Sequence, residues 1–356
     1  MLGAGIGWRE RSDKKAMTQD SARIAPEPLP PGSMVEGYRI VNKIGSGGFG
    51  VVYRAISPTG QEVAIKEYLP GALARRDGLQ GVVTLAPEKN SLYRMGMRCF
   101  LEEGRALAQI DHPSVVTVLN FLHANSTVYL VMNYLEGATL QQFIMTAVSL
   151  NNPKVFREST IRSLFDEVLG GLRVVHQHTM LHLDIKPANI FITEEDRAVL
   201  IDFGAARNVL HNDGKYLQPM FTPGFSGPEM RQRGSAIGPW TDIFAIGACI
   251  FSCMKGHPPP DAAAQEGMLR LKHYFEELRS VYSADLVDLV AACMSPTPTR
   301  RPHSVYALQK MLAPHEFVND EPELLAPPVP LAVAIPGAKT VNPWSERIKA
   351  FSRRLA

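Results

Sequence analysis

The stretch that decides the fold is His182-Leu183-Asp184-Ile185-Lys186-Pro187-Ala188-Asn189. It places a carboxylate, an ammonium group and an amide within a few residues of one another. Asp184 can accept the proton of an attacking hydroxyl, Lys186 can neutralise charge on a transferring phosphoryl group, and Asn189 can hold a metal ion. Catalysis of phosphoryl transfer depends mostly on positioning and charge stabilisation. The stretch therefore predicts a phosphoryl-transfer site, provided that the rest of the chain supplies partners.

Composition places the chain among soluble globular proteins. It has 356 residues, 45% hydrophobic and 20% charged, with a net charge of +2. This charge gives no electrostatic reason to expect nucleic acid as a partner. The four cysteines form no C-x-x-C pair, which favours a reduced, cytoplasmic protein over a disulfide or metal role. No apolar run reaches the roughly 18 residues of a membrane span, and charged residues follow the N-terminus too closely for a signal peptide.

A glycine-rich loop joins two predicted strands near the start of the ordered region. Residues 38–44 and 51–56 have strand character, and Gly45-Ser46-Gly47-Gly48-Phe49-Gly50 lies between them. A dinucleotide-binding fingerprint would need a helix after the glycines, whereas here a strand follows. The setting favours a hairpin whose backbone covers phosphates, because glycine lets amides approach closely. The alternative is a plain structural hairpin.

Four further motifs occur in a fixed order around the catalytic stretch. The glycine loop fits G-x-G-x-x-G-x-V, Val63-Ala64-Ile65-Lys66 follows, Asp202-Phe203-Gly204 lies 18 residues after Asp184, and Gly227-Pro228-Glu229 comes later. This set resembles the motifs of eukaryotic-type (Hanks-type) serine/threonine protein kinases, in the style of bacterial members. The first stretch is similar to their catalytic loop His-Arg-Asp-x-x-x-x-Asn, with Leu183 in place of the arginine.

The resemblance implies an α+β, two-lobed protein-kinase-like fold. We expect a small N-lobe with an antiparallel sheet and one helix, over about 37–132, then a hinge at 133–137. A larger, mainly helical C-lobe would follow at 138–313. Residues 1–36 are expected to be disordered, and residues 314–356 to form a Pro-rich linker with a short basic amphipathic segment.

The resemblance also assigns roles to individual residues. The catalytic set it implies is Asp184, Lys186, Asn189, Lys66, Glu103 and Thr222. ATP would be bound by Ile44, Gly45, Ser46, Gly47, Gly48, Phe49, Gly50, Val52, Ala64, Lys66, Met132, Asn133, Tyr134, Leu135 and Phe191. The metal ligands would be Asn189 and Asp202. They would hold Mg²⁺, for which Mn²⁺ could substitute.

Three long-range pairs are expected on the same basis. Lys66 needs a counter-charge. Glu103 lies in a helix predicted from Phe100 through Ile110, and it is favoured over Glu102 by its distance from His112-Pro113. Asp242 would brace the backbone of the catalytic loop, with a simple helix N-terminal acid as the alternative. Glu229 should pair with Arg301.

The implied activity is ATP-dependent phosphorylation of Ser or Thr in protein substrates, including the chain itself. Thr222 indicates Ser/Thr rather than Tyr specificity. Residues 202–229 resemble the activation segment of kinases. Leu183 cannot pair with a phosphate on this segment, so we expect activity without phosphorylation through that pocket. The alternatives are a pseudokinase-like nucleotide-binding regulatory module and a small-molecule phosphotransferase. Lys66, Asp184 and Asp202 argue against the first, and the glycine loop argues against the second.

Two segments have an open interpretation. The long, basic interval after Lys66, over 67–99, is either a solvated loop with a short hairpin at 79–87 or a regulatory or docking element. Residues 343–356 have apolar positions at helical spacing with basic residues between them. This segment could lie on the inner face of a membrane, dock on a partner, or form a short helix on the kinase.

Overall fold

The computed structural model describes residues 27–48, 50–77, 81–149, 156–203, 221–232, 234–261 and 265–313. Over these residues the chain forms two lobes, and the predicted α+β kinase-like fold is confirmed. The predictions for residues 1–26, Phe49, most of the activation segment and the C-terminal segment 314–356 lie outside the described residues. Within the described part, none of the helices is both long and apolar enough to cross a membrane.

The N-lobe is built on a six-stranded antiparallel sheet with the order β1-β2-β3-β4-β8-β7. Its strands are β1 Met34–Val35, β2 Tyr38–Gly47, β3 Gly50–Ile56, β4 Glu62–Tyr68, β7 Val118–Ala124 and β8 Thr127–Asn133. Strand β7 begins at Val118. Before it, Val115 makes an isolated parallel bridge to Leu200 of the C-lobe, and so connects the two lobes.

The chain is ordered earlier than we expected. Residues 27–36 were predicted to be disordered, but Leu29 and Val35 are buried and β1 pairs with β2. The main-chain N–H of Leu29 also donates to the Tyr53 hydroxyl at 2.9 Å. This segment contains three prolines and is held by tertiary contacts rather than by a periodic pattern, so its order could not be predicted from the sequence.

The interval after Lys66 is folded over its described residues. It contains a hairpin of β5 Ala74–Asp77 and β6 Val82–Leu85, followed by helix α1 Asn90–Leu107. The predicted hairpin within 79–87 therefore holds only the second strand. The helix begins ten residues before the predicted Phe100, because Tyr93 already lies on its buried face while basic residues occupy the other face.

The C-lobe is mainly helical. Its helices are α2 Leu140–Ser149, α3 Glu158–Gln177, α4 Pro239–Lys255, α5 Gln265–Leu278, α6 Ala284–Cys293 and α7 Val305–Leu312. A small antiparallel sheet of β9 Gly137–Thr139, β10 Ile190–Thr193 and β11 Ala198–Leu200 lies beside the catalytic stretch. Fourteen residues of α4 are buried, so this helix is the centre of the lobe.

Candidate active site

One face of the N-lobe sheet carries the predicted nucleotide-binding side chains. The register pairs Val52 with Lys66 and Ala64 with Met132. Residues opposite each other in an antiparallel pair share a face, and so do residues two apart on one strand. Val52, Ala64, Lys66 and Met132 therefore lie on the same face. Adjacent strands thus collect four residues that are far apart in sequence.

The other predicted nucleotide contacts surround this face. Ile44, Gly45, Ser46 and Gly47 end β2, Gly48 lies in the turn, and Gly50 begins β3. Asn133 ends β8, Tyr134 and Leu135 follow it, and Phe191 lies in β10, paired with Thr139 of β9. Ile44 is 46% exposed, which is unusual for an isoleucine in a strand and leaves its side chain available to a ligand. Phe49 lies outside the described residues.

Helix α1 packs tightly against the same sheet face. A Cβ atom at Gly104 would lie 2.6 Å from Cε1 of Phe121 and 2.8 Å from Cδ1 of Leu130, closer than real Cβ contacts. Leu130 is the cross-strand partner of Lys66. Glycine at this position therefore brings the helix, and the buried Glu103 beside it, close to the strand that carries Lys66.

Lys66 joins the two lobes through an ion pair. Its Nζ lies 2.6 Å from Oδ1 of Asp202 and 5.6 Å from the centre of the Phe100 ring. Phe100 is one helical turn before Glu103 on α1, so the two project from the same side of that helix. Lys66 therefore pairs with the predicted metal ligand Asp202. Its expected pairing with Glu103 stays a prediction.

The carboxylate of Asp184 is held on both oxygens. Oδ2 accepts hydrogen bonds from Lys186 Nζ at 2.9 Å and from Asn189 Nδ2 at 3.0 Å. Oδ1 accepts from the Thr222 hydroxyl at 3.2 Å. Asn189 Nδ2 also donates to the Asp184 main-chain oxygen at 2.8 Å. Four of the predicted catalytic residues therefore meet at one buried carboxylate, next to the end of the activation segment.

Asp242 braces the catalytic loop, as predicted. Its carboxylate accepts hydrogen bonds from the main-chain N–H groups of His182 at 2.9 Å and of Leu183 at 2.8 Å. His176 Nε2 contacts the same carboxylate at 2.8 Å. Leu183 has φ +62°, a left-handed conformation that costs a bulky residue about 1–3 kcal/mol. The two bonds to Asp242 help to hold the loop in this shape.

His182 connects the catalytic loop to the strand before Asp202. The Asp184 N–H donates to Nδ1 at 3.3 Å, so Nε2 carries the proton and donates to the Ile201 carbonyl at 3.2 Å. Burial lowers the pKa of this histidine, an effect that the charges of nearby aspartates only partly oppose. The imidazole also stacks on Phe203, with ring centres 4.3 Å apart. A neutral ring thus fixes Asp184 relative to Asp202.

The donor set of the predicted metal site fits a hard divalent cation. Asn189 uses Nδ2 to bond Asp184, which leaves its Oδ1 as the atom that can face a cation. Ile201 N–H donates to the Asn189 carbonyl at 3.0 Å and so connects Asn189 to Asp202, whose side chain is 45% exposed. Mg²⁺ prefers such oxygen ligands and takes its remaining ligands from water and phosphate. The described residues contain no group of three or more His, Cys, Asp or Glu side chains that could hold a metal alone.

The predicted pair of Glu229 and Arg301 is confirmed. Arg301 Nη1 and Nη2 donate to the two carboxylate oxygens of Glu229 at 2.7 and 2.9 Å, and both side chains are buried. The Thr241 hydroxyl adds a third donor at 3.0 Å. The bond from Thr241 connects the end of the activation segment to the beginning of α4, and Arg301 holds the same carboxylate from the segment before α7.

A second polar cluster lies on the opposite face of the sheet and was not foreseen. Glu67 is buried and accepts from Arg76 Nη2 on both oxygens at 2.5 Å, from Tyr53 at 2.7 Å and from Tyr129 at 2.8 Å. Burial and the charge of Glu67 raise the pKa of both tyrosines, so they stay protonated donors. Arg76 also donates to the carbonyls of Glu27 and Gly81. The signal in the sequence was a glutamate directly after Lys66 in a strand otherwise rich in apolar residues.

Comparisons with known proteins agree with this geometry. The model of the protein kinase domain matches residues 38–315, which is more than half of the chain. The chain belongs to the protein kinase domain family. Its sequence is 27% identical over 274 residues to the serine/threonine-protein kinase PLK4 of Aedes aegypti, covering 76% of this chain. The chain spans only 32% of that relative's length.

Solved kinase structures also resemble the chain. The apo form of PpkA-294 is 31% identical, with a TM-score of 0.68, and the match covers 80% of this chain and 99% of that one. The kinase domain of Mycobacterium tuberculosis PknI is 22% identical, with a TM-score of 0.58, over 80% and 98% of the two chains. The second likeness concerns the fold alone.

Proposed function

We propose that this chain of the protein kinase family transfers the γ-phosphoryl group of ATP to a Ser or Thr hydroxyl of a protein. The observation that carries the proposal is the set of contacts on Asp184. Lys186 and Asn189 hold one carboxylate oxygen, while the other faces Thr222 at the end of the activation segment. A substrate hydroxyl that replaces the Thr222 contact would meet a carboxylate that is already oriented to accept its proton.

The residues of the N-lobe would hold the triphosphate. The glycine-rich turn between β2 and β3 lies at the end of the sheet face that carries Lys66. Lys66 would bind phosphate oxygens, and its contact with Asp202 places it beside the proposed cation ligands. A divalent cation held by Asn189 and Asp202 would neutralise phosphate charge when bound. Lys186 would stabilise charge on the group being transferred.

The buried Leu183 supports activity without phosphorylation through the usual arginine pocket. The residue before Asp184 is apolar, and its main-chain N–H is held by the Asp242 carboxylate. The orientation of Asp184 therefore depends on Asp242, Lys186 and other groups of the C-lobe, and not on a phosphate bound beside residue 183. We further propose that the chain phosphorylates itself as well as other proteins.

The test is transfer of radiolabelled phosphate from ATP to the chain and to mixed Ser, Thr and Tyr peptides. Asp184→Asn should lower kcat by about 10²-fold or more with little change in the KM for ATP, because the hydroxyl loses its proton acceptor while nucleotide contacts remain. Lys66→Met should instead lower kcat and raise the KM for ATP. Transfer mainly to Tyr peptides, or equal rates for wild type and Asp184→Asn, would contradict the proposal.

Phosphatase treatment separates the finer points. If Leu183 makes the site independent of phosphorylation, the treated enzyme should keep its initial rate. ATP binding by the wild type without any transfer would favour the pseudokinase alternative. Mixing the wild type with catalytically dead Asp184→Asn protein of different mass shows whether one molecule phosphorylates another.

A further inference from the structure

Arg231 is held close to the end of the activation segment. It is the last residue of the short 3-10 helix Pro228–Arg231. Its Nη1 lies 2.6 Å from Oδ2 of Asp261, and its guanidinium carbon lies 4.1 Å from the centre of the Phe221 ring. One end and one face of the planar group are therefore fixed, and the side chain is 24% exposed.

The remaining edge of this guanidinium is buried without a partner. Within the described part of the chain, Nε and Nη2 of Arg231 have no hydrogen-bond acceptor. Buried polar groups in proteins are normally satisfied, and an unmade bond to a charged group costs more than one to a neutral group. Nε–H and Nη2–H point in parallel from the same edge, which is the geometry that grips carboxylates and phosphates with two bonds.

Arg231 is connected to the catalytic centre through Phe221 and the residue that follows it. Phe221 immediately precedes Thr222, whose hydroxyl is 3.2 Å from Asp184. One residue of chain, with about 3.8 Å between adjacent Cα atoms, thus separates the residue stacked on Arg231 from the one that touches Asp184. A peptide whose hydroxyl reaches Asp184 would therefore bring its neighbouring residues close to Arg231.

We propose that the Nε–Nη2 edge of Arg231 binds an oxyanion of the protein substrate near the hydroxyl that is phosphorylated. The oxyanion is the carboxylate of Asp or Glu or the phosphate of an already phosphorylated residue. This inference rests on the proposed kinase function. The Phe221 ring, which is 40% exposed, covers one face of the guanidinium and does not occupy this edge.

The charge around Arg231 shapes the kind of selectivity expected. Asp261 already offsets the positive charge, so the oxyanion is bound by two short, directional hydrogen bonds rather than by long-range attraction. Selectivity should therefore resist salt better than that of an exposed basic patch, because buried pairs are screened less. It should also depend on the shape of the guanidinium, which a lysine ammonium cannot reproduce.

The experiment uses the full chain, ATP and a set of peptides with one central Ser. At each neighbouring position the peptides carry Asp, Glu, phosphoserine, Asn or Gln. For at least one position, kcat/KM of the wild type should be about 10-fold or more higher for an oxyanion than for the matched amide. In Arg231→Lys this ratio should fall below about threefold, with the change mainly in peptide KM. Arg270→Lys, at an exposed arginine on α5 paired with Glu266, should keep the wild-type ratio.

The outcomes separate this inference from the function beneath it. Equal use of acidic and amide peptides by the wild type would overturn the inference, since a water molecule could then satisfy the edge. A uniform loss for all peptides in Arg231→Lys would also overturn it, because the arginine would then only support the segment. The Asp, Glu and phosphoserine series decide which oxyanion is preferred. Failure to phosphorylate any peptide would instead remove the proposed function.

Discussion

Replacing Arg76 with Met tests whether the insertion after Lys66 is docked or solvated. The substitution removes two bonds to the buried Glu67 carboxylate and two to the carbonyls of Glu27 and Gly81. If Arg76 were in a solvated loop, its replacement would leave the free energy of unfolding almost unchanged. In this structure the change leaves a charged carboxylate buried between two strands with no cation beside it.

The magnitude follows from what remains around Glu67. Removing one partner of a buried ion pair costs about 3–5 kcal/mol, because the other charge stays buried. The Tyr53 and Tyr129 hydroxyls still donate to Glu67, which favours the lower half of that range. Even about 3 kcal/mol is a large part of the 5–15 kcal/mol that stabilises a typical domain.

The assay should report on the N-lobe specifically. Urea denaturation followed by circular dichroism gives the total change in the free energy of unfolding. Amide hydrogen exchange, measured on peptides that cover β4 and β5, shows whether the change in stability lies in these strands. Arg270→Met on the exposed face of α5 is the matched control, with an expected change within about 0.5 kcal/mol.

A second variant isolates the buried charge. Glu67→Gln combined with Arg76→Met removes both charges, while the tyrosine hydroxyls can still donate to the amide oxygen. The double variant should therefore be more stable than Arg76→Met alone. A cost below about 1 kcal/mol for Arg76→Met, with unchanged exchange in β4 and β5, would refute the docked arrangement.

Three further predictions follow from the site and its supports. Gly104→Ala should destabilise the protein by about 1–3 kcal/mol and raise the KM for ATP, because the added Cβ would push α1 off the sheet. In the control Gly170→Ala the nearest contact of the added Cβ is an ordinary 3.6 Å, so thermal melts should show unchanged or increased stability. Arg301→Lys should cost about 2–4 kcal/mol in denaturant titration, because lysine cannot make both bonds to Glu229; an unchanged midpoint would contradict this. Burial lowers the pKa of His182 from 6.5, so the unfolded chain binds a proton at this histidine at higher pH than the folded chain does. The free energy of unfolding is therefore largest above pH 6.5, and it falls by up to about 1.4 kcal/mol per pH unit as the pH drops through the folded-state pKa. The variant His182→Gln should show a smaller slope.

The catalytic stretch shows why part of this site could be predicted from sequence. Asp184, Lys186 and Asn189 are within six residues, so a local pattern contains most of their geometry. Thr222, which is 38 residues away, was expected only from the family resemblance, and the structure shows that its hydroxyl bonds the same carboxylate. Asp242 and Arg301 were placed because the family motifs fix their order, although the side-chain contacts themselves are tertiary.

The interval after Lys66, over 67–99, shows why the rest of the structure could not be predicted from the sequence. Its basic residues resemble those of a solvated loop, and only packing reveals that Arg76 points inward to Glu67 while Arg94 and Arg98 face away from the core. The start of α1 was misplaced for the same reason, since polar residues on its outer face obscured the buried stripe that begins at Tyr93.

The sequence by itself indicated the kinase fold and the chemical groups of the site, because its motifs resemble those of a known family in residue type and in order. Tertiary structure alone decided that Lys66 pairs with Asp202, that Glu67 is neutralised from behind the sheet, and that one edge of Arg231 has no acceptor within the described residues. These depend on distances between side chains far apart in the chain. The packing of the lobes and of their insertions sets these distances, so they cannot be predicted from a periodic pattern in the sequence.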